Sequence, residues 1–117
     1  MAYLRHHVNG DVVSVYEIKD TVIIGRHPRC NITIDDPTIS GEHAELVVHD
    51  NRCELNDKNS TNGVHLAGNK VDHTILHPGN VFTIGTHEFE YLLEIPNDLG
   101  RTLKIKKSWI PGVYFTE

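Results

Sequence analysis

Short β-branched and aromatic runs, each closed by a turn signal, recur along most of this chain and leave little room for any architecture other than stacked sheets. The clearest is the run in which Phe89, Tyr91, Leu93 and Ile95 alternate with Glu88, Glu90, Leu92 and Glu94. Period-two alternation places one set against a core and the other toward water, and Leu92 alone breaks the polar face. Asn9-Gly10 separates the runs Tyr3 to Val8 and Asp11 to Ile18. A two-residue type I′ turn requires positive φ at both central positions, and Asn-Gly supplies it, so the first two strands should pair as a hairpin.

The remaining runs follow the same logic. Thr21-Val22-Ile23-Ile24 is apolar after its threonine, the pattern of a strand buried on both faces, and it ends at Gly25. Asn31 to Ile34 reads as a short strand before Asp35-Asp36-Pro37, where proline cannot donate to a ladder. In His43 to Val48 the residues Ala44, Leu46 and Val48 share one face, and after Asp50-Asn51 the stretch Arg52 to Asn56 returns with Cys53 and Leu55 inward. Val64 to Leu66 and Val81 to Ile84 are further short strands, the second preceded by Pro78-Gly79. No helix longer than a turn or two is expected. The fold class is therefore all-β, an antiparallel β-sandwich of two twisted sheets with its loops gathered at the ends.

A chain of 117 residues suffices for one domain with its own core. Pro96 to Gly100 interrupts the pattern, giving residues 1–95 as the domain and 96–117 as a C-terminal extension. That extension alternates basic and apolar residues from Arg101 to Lys107 and is aromatic around Pro111-Gly112. It is expected to dock as a strap that hides Trp109, Tyr114 and Phe115; a linker or a docking peptide for another chain is the alternative.

Charge narrows the partners. Residues 1–95 hold seven Lys and Arg against fourteen Asp and Glu, a balance of −7, while the extension carries +2. Nucleic-acid binding depends on clustered cations that neutralise phosphates, so no nucleic acid is expected as partner. No apolar stretch approaches the ~20 residues that span a bilayer and the first residues carry Arg5, His6 and His7, so neither membrane insertion nor a signal peptide is expected and the location should be cytoplasmic. Cys30 and Cys53 are too few for a disulfide framework and should be free thiols.

Three polar segments stand between the strands: Gly25-Arg26, Ser40-Gly41-Glu42-His43 and Ser60-Thr61-Asn62-Gly63. All three can be carried to one end of a sandwich, where an arginine fork, a hydroxyl and backbone amides would suit a phosphate ester with its ~1.5 to 2 negative charges. This ordered set, spanning residues 20 to 95, resembles the forkhead-associated (FHA) family, whose members bind phosphothreonine-containing peptides on their loops. The resemblance implies a non-catalytic reader in kinase-dependent signalling that needs no cofactor. Arg26 and Ser40 would be the main phosphate contacts, with the Gly41 amide as a further donor. Thr61 would line the pocket and Asn62 would hold the peptide main chain. Gly25, His43 and Gly63 would shape the loops from behind, so that loss of His43 damages folding first. One departure stands out: the position occupied by Gly41 is often basic in the family, so affinity should lean on Arg26 unless His27 or Arg29 restores positive charge.

Rival readings use some of the same residues. His27-x2-Cys30 and His49-x3-Cys53 loosely match zinc spacings, but Cys53 should face the core and His49 solvent, so no metal site is expected. Ser40 and His43 can be cast as nucleophile and base, yet no acid is placed to orient the imidazole. Within the binding class, the alternative is a phosphate-independent assembly or oligomerisation module, using an exposed Leu92 or the aromatic tail.

Overall fold

The computed structural model describes residues 2–50 and 52–94 in full, together with the backbone of two strands at Ile105–Lys107 and Val113–Thr116. In chain order the strands are β1 Ala2–Val8, β2 Asp11–Ile18, β3 Thr21–Gly25, β4 Ile32–Thr33, β5 Ala44–His49, β6 Arg52–Asp57, β7 Val64–Leu66, β8 Asn69–Val71, β9 His73–Leu76, β10 Val81–Ile84, β11 His87–Leu92, β12 Ile105–Lys107 and β13 Val113–Thr116. They form an eight-stranded sheet in the order β12-β13-β2-β1-β11-β10-β7-β8 and a five-stranded sheet in the order β4-β3-β5-β6-β9. Every pairing is antiparallel except that of β4 with β3.

Between the sheets lies one apolar cluster. Leu4, Phe82, Ile84, Phe89 and Tyr91 of the larger sheet meet Ile24, Leu46, Cys53 and Leu55 of the smaller one, all at 2% exposure or less. Each contributes by alternation, as in β6, where Cys53 and Leu55 are buried and Arg52 is exposed. The β1–β2 hairpin closes through Asn9 at φ 53° and Gly10 at φ 85°, the two positive values that its turn needs.

The pattern departs from the sequence in instructive places. Ile23 of β3 is only half-buried, so that strand is covered fully on one face. Strand β11 stops at Leu92, and the alternation stops with it. Leu93 is 43% exposed, whereas Leu92 is half-buried against Tyr3 and Val15 on the outer face of the larger sheet. The exposed Leu92 expected from its pattern is thereby corrected: a small apolar cluster on that face covers it. Strands β8 and β9 carry no alternation that marks them. The boundary expected at residue 96 and the aromatic residues Trp109, Tyr114 and Phe115 fall outside the residues described in full, although the backbone of β13 pairs with β2.

Candidate functional site

Three loops meet at one end of the sandwich: that after β3, that before β5 and that before β7. Backbone bonds stitch the first two together. The Arg26 amide donates to the Ser40 carbonyl at 2.9 Å and the His27 amide to the Gly41 carbonyl at 3.0 Å. Such a close approach demands a residue without a side chain at the strand end. A Cβ on Gly25 would collide with the Gly41 carbonyl oxygen and lie 2.9 Å from the Cys30 sulfur.

The third loop is tied in through side chains. Ser40 Oγ accepts the Thr61 amide at 3.0 Å, which leaves its own hydroxyl proton to donate elsewhere. Asn62 Nδ2 donates to the Thr38 carbonyl at 2.8 Å, so its Oδ1 and one amide hydrogen remain. Ser60 caps its own loop: Asp57 accepts from both its amide and its hydroxyl, and its Oγ accepts the Gly63 amide at 3.0 Å. Gly63 has φ 82°, and a Cβ there would also crowd Lys70.

His43 sits fully buried beneath all this. Its Nδ1 accepts the Ser40 amide at 3.1 Å and its Nε2 donates to the Gly63 carbonyl at 2.8 Å, which sets the Nε2–H tautomer. Both ring nitrogens are committed to backbone, and neither addresses Ser40 Oγ. A Ser–His nucleophile pair therefore does not form here.

The structure brings Arg26, Ser40, Gly41, Thr61 and Asn62 to the lining of a single open cleft of roughly 630 Å³, which Thr38 and Ile39 also line. Arg26 is half-exposed, and its nearest anion is the fully exposed Asp35 at 3.9 Å, a distance that leaves the guanidinium fork uncommitted. Arg29 differs. It bonds Glu42 through Nε at 3.0 Å and through Nη2 at 2.9 Å, so its charge is answered locally. His27 spends Nδ1 on the Arg29 amide. The extra positive charge considered from sequence is therefore not supplied by Arg29.

The thiols diverge from the histidines that share their spacings. Cys30 donates to the Gly41 carbonyl at 3.1 Å, and burial raises its pKa, with Glu42 adding to the effect. Cys53 lies in the core, where burial pushes it up to about 12, whereas His49 lies outside against Glu54 at 3.3 Å. Among the described residues no group of three His, Cys, Asp or Glu side chains could hold a metal ion.

The family model for the FHA domain matches residues 22–85, which contain every loop just described. The chain belongs to the FHA-domain family. Among its relatives, the glycogen accumulation regulator GarA of Mycobacterium tuberculosis is 35% identical over 68 residues, covering 58% of this chain and 42% of that protein. The oxoglutarate dehydrogenase inhibitor of Corynebacterium efficiens is 32% identical over 72 residues, covering 62% and 51%. This FHA chain thus spans about half or less of the length of either relative. Among solved structures, Mycobacterium tuberculosis EmbR in complex with a low-affinity phosphopeptide superposes with a TM-score of 0.73 at 28% identity, covering 82% of this chain and 25% of that one. An FHA domain studied for phosphothreonine-dependent interactions superposes at 0.71 with 25% identity, covering 81% and 98%.

Sequence reasoning missed one element of the cleft. Thr38 lines the cleft, holds Asn62 and is itself held by Asp36, whose Oδ1 accepts its amide at 2.8 Å and its hydroxyl at 2.7 Å. An aspartate two residues before a threonine is the signature of such a turn, and Asp36-Pro37-Thr38 carries it.

Proposed function

We propose that the cleft binds a phosphothreonine-containing segment of a partner protein and that the domain acts as a non-catalytic reader in kinase-dependent signalling. The observation that carries this reading is the convergence of one uncommitted guanidinium, Arg26, with the hydroxyl of Ser40 and the loop around Gly41 on an open cleft of an FHA domain. Arg26 takes two phosphate oxygens through its fork and Ser40 donates its hydroxyl proton. The Gly41 amide adds a donor with no side chain in the way. Thr61 lines the pocket, and the Oδ1 and remaining N–H of Asn62 take the peptide main chain. Gly25, His43 and Gly63 keep the loops in shape and touch no ligand.

The setting is part of the proposal. Residues 1–95 act as the binding unit, a division supported by the family match over residues 22–85, which lies wholly within it, and 96–117 are an extension whose strand β13 pairs with β2. A cytoplasmic location is consistent with two buried free thiols, and among the described residues no helix is long and apolar enough to cross a membrane. The acidic balance of 1–95 disfavours nucleic acid as a partner.

The test is a titration with a degenerate phosphothreonine peptide library beside its unphosphorylated counterpart. Binding confined to the phosphorylated library is expected, and it should weaken as pH falls below the second phosphate pKa of about 6. Equal binding to both libraries would overturn the reading in favour of phosphate-independent assembly.

A further inference from the structure

A chain of hydrogen bonds runs from the interior of the larger sheet to the Thr38 wall of the cleft. Tyr16 Oη lies 3.3 Å from His6 Nδ1, His6 Nε2 lies 2.8 Å from His87 Nδ1, and His87 Nε2 lies 2.9 Å from Asp36 Oδ2. The other Asp36 oxygen receives the amide and hydroxyl of Thr38, and the Thr38 carbonyl receives Asn62. His6 and His87 are buried at 5% and 9% exposure, and His6 is stacked on Phe89 with ring centroids 4.5 Å apart.

The direction of the chain is determined by its end. With one proton on each imidazole, a carboxylate that only accepts leaves His87 donating from Nε2 and accepting at Nδ1. His6 then donates from Nε2 to that nitrogen and accepts the Tyr16 hydroxyl at Nδ1. Every donor then finds one acceptor. Packing reinforces the hydrogen bonds, because a Cβ on Gly85, at the turn into β11, would collide with Thr38 Oγ1.

We propose that Tyr16, His6, His87 and Asp36 are positioning residues for ligand recognition: they hold Thr38, and through its carbonyl Asn62, in the geometry presented by the cleft. The inference rests on the reading of that cleft as a phosphopeptide site for its purpose, although not for its geometry. None of the four lines the cleft, so their effect on binding passes through Thr38. Leaving buried polar groups partly unpartnered is costly, which makes the chain stiff as a unit.

The decisive variants are Asp36→Ala, His87→Ala and Asp36→Asn, observed by NMR in the ligand-free protein. Asp36→Ala and His87→Ala should shift the Thr38 amide and the Asn62 side-chain amide signals, and should weaken phosphopeptide binding by about tenfold, the scale of one lost hydrogen bond of this kind. Asp36→Asn should rescue the Thr38 and Asn62 signals, since the new Oδ1 still accepts from Thr38. Its Nδ2 must then donate to His87 Nε2. That reverses the whole chain, so the ring-nitrogen signals of His87 and His6 should change from the Nε2–H to the Nδ1–H tautomer. Thr38 and Asn62 signals that superpose on wild type in both alanine variants would overturn the proposal, as would unchanged tautomers in Asp36→Asn. These spectra need no phosphopeptide, so a failed pocket assignment and a failed relay give different results.

Discussion

The rim of the cleft and the layer directly beneath it are made from the same loops, yet their residues are held in opposite ways. On the rim, Arg26, Gly41, Thr61 and Asn62 are exposed, and Arg26 has no tight partner among the described residues. One layer down, Gly25, His43 and Gly63 are buried, and each is fixed by backbone contacts or by the absence of a side chain. The difference separates two kinds of loss: changes beneath should cost the fold, and changes on the rim should cost the ligand alone. That separation can be broken by experiment.

The largest effect should come from Gly25→Val. Even its Cβ has no room beside the Gly41 carbonyl and the Cys30 sulfur, and the obstruction is backbone, which cannot swing aside. Overpacking at a fixed backbone typically costs ~1 to 3 kcal/mol and sometimes more, and here the two loops must part as well. Loss of cooperative unfolding in a urea titration is expected. A variant with wild-type stability would erase the distinction between the layers.

Next in size is a pH dependence that belongs to the scaffold. Burial, reinforced by His87 and His7, lowers the pKa of His6 from 6.5 to about 4. The unfolded chain therefore binds a proton that the folded one refuses across that window, so stability is fully present above 6.5 and lost as pH falls toward 4. The sum is on the order of 3 kcal/mol at ~1.4 kcal/mol per pH unit. Asp36, held down to about 2 by its bonds to Thr38 and then to His87, loses its contribution only below the usual carboxylate range. Urea midpoints measured between pH 7.5 and 4.5 should fall in wild type and flatten in His6→Gln. A slope that survives in His6→Gln would assign it to other groups.

How far the sequence discloses this arrangement depends on whether a residue's task is local. The Asn9-Gly10 hairpin and the inward Cys53 and Leu55 are readable because turn chemistry and period two act over neighbouring residues. The rim residues are readable as an ordered set because three loops each carry a recognisable segment. Strands β8 and β9 are not readable: Asn69-Lys70-Val71 has an edge strand's polar composition, and its pairing with β7 is set by tertiary contact. The contribution of His6 and His87 is invisible for another reason. They lie 81 residues apart, and nothing in either local pattern indicates that a buried imidazole pair will meet Asp36. Arg29 illustrates the same limit in reverse, since its commitment to Glu42 appears only when the two loops come together.

On the rim, Arg26→Ala should leave the urea midpoint unchanged within ~0.5 kcal/mol, as expected for an exposed residue outside the core. Phosphopeptide binding should fall by about a hundredfold or more, the loss of a bidentate charge-assisted contact. Calorimetric titration of the variant beside its melting curve decides the matter. Retained affinity would remove Arg26 from the site, and a large drop in stability would move it into the lower layer.

The smallest effect is a gain. Nothing lies within 4 Å of a Cβ built on Gly41, and its φ lies outside the positive region, so a lysine fits without strain. Glu42 next door is already bonded to Arg29 at 2.9 Å, which leaves the new ammonium available to the ligand. An exposed cation facing a phosphate should contribute ~0.5 to 1 kcal/mol, about a two- to fivefold tightening, and the gain should shrink as salt is raised. The same substitution beneath the rim would have nowhere to go, so Gly41→Lys tests whether this glycine belongs to the ligand-facing layer. Equal affinity at low salt would place position 41 beyond the reach of the phosphate, and a destabilised fold would show that its small size serves the loops.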